Sequence, residues 1–408
     1  MRYDYDLLII GGGAAGFFTA INAADMDRDL KIAILERGKE VLTKVKVSGG
    51  GRCNVTHAEF IPDELVKKYP RGEKELLGPF HRFMTGDTVS WFEERGIQLK
   101  TEEDGRMFPE TDTSQTIIDC FLQETSRLGV DVHRQQSVKD IRKDGDLWKV
   151  EINSTVYSAK QVVIATGSNP KIWKILERLG HTIVSPVASL FTFNSKDDRI
   201  SDLAGIATEA EVIVFDDKGK TLLSSDGPLL ITHWGMSGPA ILKLSAWGAR
   251  LLEPLNYRFR IGVNWMPGIG KESLELILRK MKLENARKRV GGTPLMDLPK
   301  RLWQKLVIAA GIPEKIIWAD ITKEQIKELV NELSCGIFQV EGKSTFKEEF
   351  VTAGGVELKE VNFKTFESKL LPGLYLAGEV LNIDAITGGF NFQNAWTGGF
   401  LVAKAITE

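Results

Sequence analysis

The pattern of apolar and polar positions changes character twice along the chain. Asp6 to Ile10 (DLLII) is a continuous apolar run, the pattern of a parallel strand buried on both faces. It runs into Gly11-Gly12-Gly13-Ala14-Ala15-Gly16, a helix over FFTAINAA, and a second strand, KIAILE, ending at Glu36. Gln161 to Ser168 (QVVIATGS) and Leu374 to Glu379 (LYLAGE) predict two more buried strands, and a helix is expected over Lys171 to Leu179. From about 191 the texture becomes alternating. Glu209 to Phe215, the turn DDKGK and Thr221 to Leu223 predict a hairpin, with Leu229 to Thr232 and Tyr257 to Trp265 as further antiparallel strands. Met266 to Gly270 breaks the chain, and 271 to 333 reads as helices interrupted at Gly291 to Pro294, Leu298-Pro299 and Gly311 to Pro313. Ile337 to Val340 returns as a strand.

This order predicts an α/β domain of residues 1–190 and 345–408, interrupted by an insert. The β-rich part of the insert is 191–266 and 334–344, and its helical part is 267–333.

Composition narrows the class. The 408 residues carry 53 basic and 55 acidic side chains, with 43% hydrophobic and 26% charged, as in ordinary globular proteins. A disordered or collagen-like chain is excluded, and no apolar run reaches the roughly 18 to 20 residues of a membrane span. Cys53, Cys120 and Cys335 form no CxxC pair, and aspartates stand where a signal peptide carries positive charge, so a cytoplasmic location is expected. The cysteines and five histidines lack metal-ligand spacing.

Strand, glycines, helix, strand and terminal acid in this order are the dinucleotide-binding fingerprint. Gly11 makes the tight turn, Gly13 admits a pyrophosphate to the backbone, and Gly16 lets helix and strand pack closely. The helix N-terminus favours phosphate charge. Glu36, twenty residues after Gly16, is placed for ribose hydroxyls. The strands ending in Ala165-Thr166-Gly167 and Gly378-Glu379 separate FAD from NAD. A simple NAD dehydrogenase has no use for the late strand and acid, whereas the chain resembles flavoproteins of the glutathione-reductase type in having both, with Glu379 where Asp is commoner. Gly388-Gly389-Phe390-Asn391 opens a final helix whose amides suit negative charge on a reduced flavin ring.

Four segments carry a family resemblance: Val47 to Thr56 (VSGGGRCNVT), Thr232 to Pro239 (THWGMSGP), Val351 to Val356 (VTAGGV), and Gly378 to Leu381 followed by Gly388-Gly389. With these the chain resembles the BaiN/RdsA-like bacterial flavoproteins, the aminoacetone-oxidase-like family, over essentially its whole length. Asn382 and Ala385 depart from the family pattern, where Asp and Gly are frequent. The resemblance implies a Rossmann-like FAD-binding domain carrying a β and helical insert. It also implies FAD-dependent oxidoreductase activity: reduction of carbon–carbon double bonds, including uridine in ribosomal RNA and steroid-like enones, or amine oxidation.

The candidate cofactor-binding residues are Gly11, Gly13, Ala14, Ala15, Gly16, Glu36, Arg37, Lys44, Ser48, Gly49, Gly50, Gly51, Arg52, Cys53, Asn54, Val138, Thr166, Gly167, Gly378, Glu379, Gly388, Gly389, Phe390 and Asn391. The candidate catalytic residues are His233, Asn391 and Arg52. Cys53 has no resolving partner, since the fifth residue after it is Ala58, so dithiol chemistry is disfavoured and packing or pocket-lining is expected. His233 reads two ways: a proton donor or substrate orienter beside the flavin, or a histidine hydrogen-bonded within a domain junction. Ser237 lacks a GxSxG elbow and reads as a turn hydroxyl.

No second nicotinamide-binding unit is visible, so NAD(P)H is expected only as a transient donor. Arg279 to Lys305 holds nine basic residues against two acids, which reads as a solvated face or a phosphate-contacting surface. The reading that emerges is a flavin enzyme reducing an unsaturated carbon–carbon bond in ribosomal RNA or a small molecule, with no membrane partner. The alternatives are an oxygen-using amine oxidase and a non-catalytic, FAD-stabilised RNA-binding protein.

Overall fold

A computed structural model describes residues 3–153, 155–344 and 351–408; the 345–350 stretch of the expected domain boundary lies outside them. By contacts the chain divides into two units, Met1–Val187 with Lys347–Glu408, and Ala188–Phe346. In chain order the strands used below are β1 (Tyr5–Ile10), β2 (Ile32–Leu35), β3 (Asp131–His133), β4 (Thr155–Ile164), β5 (Thr192–Asn194), β6 (Ala207–Phe215), β7 (Thr221–Thr232), β8 (Gly235–Ser237), β9 (Arg258–Asn264), β10 (Gly336–Ser344) and β11 (Leu374–Leu376). The helices are α1 (Ala14–Met26), α2 (Thr43–Gly51), α3 (Lys271–Glu284), α4 (Lys300–Ala309), α5 (Lys323–Cys335) and α6 (Phe390–Thr407).

In the first unit, parallel strands stand in the order β11-β4-β1-β2-β3, with antiparallel strands extending the sheet. The apolar run of β1 is central, and Leu7, Leu8 and Ile9 have no exposed surface. That burial on both faces is why no alternation marks the run. α1 is likewise buried nearly all round, and its small residues allow close approach: a Cβ on Gly399 of α6 would lie 3.1 Å from the Ala15 carbonyl oxygen. Phe18, Trp91, Phe121 and Trp396 form an aromatic cluster binding α1 to α6, with ring centres 4.6 Å apart for Phe18–Trp91 and 5.2 Å for Phe18–Trp396.

The second unit contains a closed barrel in the order β5-β8-β7-β6-β9-β10. Alternation along β6 turns Ala210, Val212 and Val214 inward, and closure leaves the barrel without free edges. The two short strands expected at Thr221 and Leu229 are one strand, β7. Pro228 pairs with Glu209 without interrupting it, and Gly227, at φ +131°, supplies the bend. Helices α3, α4 and α5 bury Leu274 and Leu278, Trp303 and Leu306, and Leu329 and Leu333. Thr322 and Gln325 close a reciprocal cap at the start of α5, with bonds of 3.1 and 3.0 Å. Among the described residues no helix is long and apolar enough to cross a membrane.

Candidate functional site

Because β1, β2, β4 and β11 are parallel, their C-terminal ends bring Gly11, Glu36, Thr166-Gly167 and Gly378-Glu379 to one edge of the sheet, where α/β folds bind ligands. The glycines divide the labour. A Cβ on Gly11 would lie 2.3 Å from the Ala165 carbonyl oxygen, and one on Gly16 would lie 2.0 Å from the Gly11 carbonyl oxygen; both serve internal packing. A Cβ on Gly13 would meet nothing within 4 Å. There the backbone faces open space, at the start of a helix with no side-chain cap and no acid in its first turn. The orphan N–H groups of such a terminus are anion donors.

Glu36 is held in place. Its two carboxylate oxygens accept the N–H of Gly12 at 2.9 Å and of Gly38 at 2.6 Å. At β11, Glu379 forms an ion pair with Lys44 of α2, and Gly167 lies so near that a Cβ there would be 3.3 Å from the Glu379 carboxylate. Ala15 sits just as close to Gly378. The Thr166 hydroxyl and the Asn382 side-chain oxygen are buried with no partner among the described residues. Arg37 is exposed beyond Glu36, while Val138 is buried at the start of the strand Val138–Asp144.

The SGGGRCN segment is not a regular helix end. Ser48 is extended and bonds the Val45 carbonyl at 2.9 Å, then Gly49, Gly50 and Gly51 all have positive φ, as does Cys53 at +62°. Arg52 leaves this loop to bond Glu102 at 2.6 Å and Asp112 at 3.4 Å, with its guanidinium 4.0 Å from the Phe108 ring centre. Cys53 is wholly buried, and desolvation pushes its thiol up to about 12, so it stays protonated at any ordinary pH. The Asn54 amide, in the orientation that satisfies its neighbours, accepts from Gly389 N–H at 2.9 Å and donates to the Thr56 carbonyl at 2.9 Å. Asn54 therefore ties the loop to the start of α6.

At α6, Gly389 (φ +93°) is packed so tightly that a Cβ would lie 2.6 Å from Thr56 backbone atoms. Asn391 spends its amide on Ala385, accepting its N–H at 3.0 Å and donating to its carbonyl at 3.2 Å, so it holds the 382–389 loop. Phe390 is buried, and its carbonyl accepts the Tyr69 hydroxyl at 2.6 Å. Sequence reasoning missed three supports of this loop. Arg71 pairs with the fully buried Asp384, His57 Nδ1 lies 3.1 Å from the Gly388 carbonyl, and the His57 ring lies 4.5 Å from that of Phe390. A lone acid in the apolar run VLNIDAI was the available signal for Asp384. His233 belongs to the other unit, exposed in the two-residue turn between β7 and β8.

The first-unit residues fit an extended dinucleotide: an open glycine at an uncapped helix, oriented acids at two strand ends, and an unsatisfied hydroxyl between them. Comparison with known proteins adds the following. A family model described as HI0933-like protein Rossmann domain matches residues 5–405. The chain is 29% identical to a ribosomal RNA dihydrouridine synthase of Haemophilus influenzae, over 98% of both chains. It is 26% identical to a 3-dehydro-bile acid delta(4,6)-reductase of Clostridium scindens, again over 98% of each. Among solved structures it is similar in fold to a 3-ketosteroid-delta4-(5alpha)-dehydrogenase from Rhodococcus jostii in complex with 4-androstene-3,17-dione. That likeness has a TM-score of 0.52 at 12% identity and covers 100% of this chain and 98% of that one.

Proposed function

The chain belongs to the HI0933-like Rossmann family, and on that premise we propose that this FAD-dependent oxidoreductase saturates a carbon–carbon double bond. Uridine in ribosomal RNA is the first substrate class and a small enone the second. The observation that carries the reading is the end-to-end relation to two relatives with unlike substrates, one named for making dihydrouridine and one for reducing bile-acid double bonds. Their shared chemistry is the addition of two hydrogens across a C=C bond.

Bound FAD supplies the hydride chemistry at its isoalloxazine ring. The chain binds and orients. The backbone at Gly13 and the first turn of α1 take the pyrophosphate, Glu36 the adenosine ribose, and Glu379 with Lys44 the ribityl chain. The amides opening α6 would stabilise negative charge on a reduced flavin ring. Arg52, held by Glu102 and Asp112 beside the SGGGRCN loop, orients substrate or cofactor. NAD(P)H serves as a transient donor, and the enzyme works in the cytoplasm. Cys53, locked as a buried thiol, takes no part in electron transfer.

The test is anaerobic. Purified yellow enzyme is mixed with NADH or NADPH, bleaching of the flavin is followed, and the reduced enzyme is offered unmodified ribosomal RNA, a steroid-like enone, or oxygen with aminoacetone. Reoxidation by RNA with dihydrouridine formed supports the proposal. Turnover confined to the amine and oxygen replaces it with an oxidase.

A further inference from the structure

We infer that the ribosomal RNA backbone is held by one narrow strip of the second unit: Arg287, Arg289, Lys300 and Lys315. This rests on the RNA reading above. The nine basic residues between Arg279 and Lys305 are not equivalent once folded. Arg279 pairs with Glu275 and Lys280 with Glu284, at i,i+4 spacing along α3. Lys282 bonds the Ile321 carbonyl at 2.6 Å, Lys288 bonds Asn285 at 3.0 Å, Arg301 bonds the Asp202 carbonyl, and Lys305 bonds Ser201 at 3.2 Å. These six are satisfied within the protein, so recruiting them to phosphate would break existing bonds.

Arg287, Arg289 and Lys300 have exposed side chains with no partner among the described residues, and the same is true of Lys315, outside the basic run. They are carried on pinned backbone. Val290 N–H donates to the Ile316 carbonyl at 3.0 Å, Trp318 N–H to the Lys288 carbonyl at 3.0 Å, and Arg289 bridges Ile317. Lys315 is therefore brought beside the Arg287–Arg289 segment from the far side of this short ladder. Val290 is fully buried, and its carbonyl accepts the Trp303 indole N–H of α4 at 2.8 Å. On α4, Gln304 lies near Gly291, 3.7 Å from where a Cβ there would stand, and Lys300 lies one turn before Gln304 on the same face.

Four unpaired cations on rigid backbone, in a chain of net charge −2, form a surface complementary to a polyanion. A rigid mount loses little entropy on contact, unlike a loose basic tail. Arginine also grips phosphate through two parallel N–H donors.

The experiment uses the FAD-loaded full chain and unmodified ribosomal RNA transcripts, with binding measured across a salt series. Arg287→Gln/Arg289→Gln/Lys315→Gln is compared with Arg279→Gln/Lys280→Gln, which removes paired charges only. The first variant should lower the salt slope by about 0.7 to 0.9 for each lost contact and the affinity at 0.1 M salt on the order of a hundredfold. The second should change neither beyond about threefold, and FAD content and flavin reduction by dithionite should be unchanged in both. Equal slopes for wild type and the first variant would overturn the strip while leaving the RNA reading intact. A wild type that binds no RNA at low salt would overturn both. Binding of an acidic protein in place of RNA would reassign the strip to a protein partner and overturn the inference.

Discussion

Arg71 holds Asp384 by two bonds, Nε to Oδ1 and an Nη to Oδ2, and the carboxylate it grips has no exposed surface. The two residues also form a backbone bridge, so the 382–389 loop is joined to the segment before residue 72 by main chain and side chain together. Asp384→Ala removes the fully buried carboxylate from this ion pair and should cost about 3 to 5 kcal/mol, the scale for breaking one side of a buried pair. Denaturant unfolding checks the stability loss, and FAD release on gel filtration checks the expected loosening of the cofactor. A variant as stable as wild type would remove Asp384 from the loop's support.

Two glycines of one motif should fail differently. Gly13→Val adds atoms where nothing lies within 4 Å and where φ is ordinary, so the apoprotein should unfold at the wild-type denaturant concentration while FAD content falls sharply. Gly16→Ala forces a Cβ to 2.0 Å from the Gly11 carbonyl oxygen and should destabilise the fold itself. Glu36→Ala should lose FAD and also leave the Gly12 and Gly38 N–H groups without their acceptor. Flavin absorbance per protein, alongside unfolding curves, distinguishes the three.

Cys53 gives a pH signature. Burial raises its thiol to about 12, above the unfolded value near 8.5, so its contribution is full below that unfolded value and is lost as pH rises from there toward 12. Stability should fall across pH 9 to 11 with a slope of up to about 1.4 kcal/mol per pH unit from this group. Cys120, raised to about 11, adds to the same window. Cys53→Ser should flatten the slope and leave reduction by an external donor within about threefold of wild type. A thousandfold loss of that reduction would make the thiol a chemical participant.

His57 titrates in the opposite direction. Desolvation lowers its pKa below 6.5, against a raising effect of the Gly388 carbonyl and weaker influences of Lys68, Asp104 and Glu59. A depressed folded value means the stabilisation is present above 6.5 and is lost as pH falls below it. Unfolding free energy should drop between pH 6.5 and 5, and His57→Phe should show a shallower drop.

What could be read in the sequence follows contact range. The glycine fingerprint is legible because Gly11, Gly13, Gly16 and Glu36 act within one βαβ unit, where spacing along the chain translates directly into spacing in space. The barrel is legible only as strands, since its closure joins Thr192 to Ser344, and no local pattern encodes so distant a partner. Arg71 with Asp384 is hidden for the same reason. Asn54 and Asn391 stand out beside glycines as candidate contacts, yet both amides are engaged by backbone groups, a use that composition cannot separate from ligand binding. The basic run divides into paired and unpaired members only when Glu275, Asp202 and Ser201 are brought to it.

The first unit is completed by elements far along the chain: β11 lies against β4, and α6 packs on α1. On a ribosome, β4 emerges about 200 residues before β11, a delay of roughly 10 to 40 s at ~5–20 residues per second. Through that interval the edge of residues 162–164 has no strand beside it, and Glu36 waits without the turn that carries Glu379. On the reading proposed above, flavin capture has to wait for β11 and the turn that carries Glu379. A chain cut before β11 should have a bare sheet edge, prone to aggregation, and should hold no flavin.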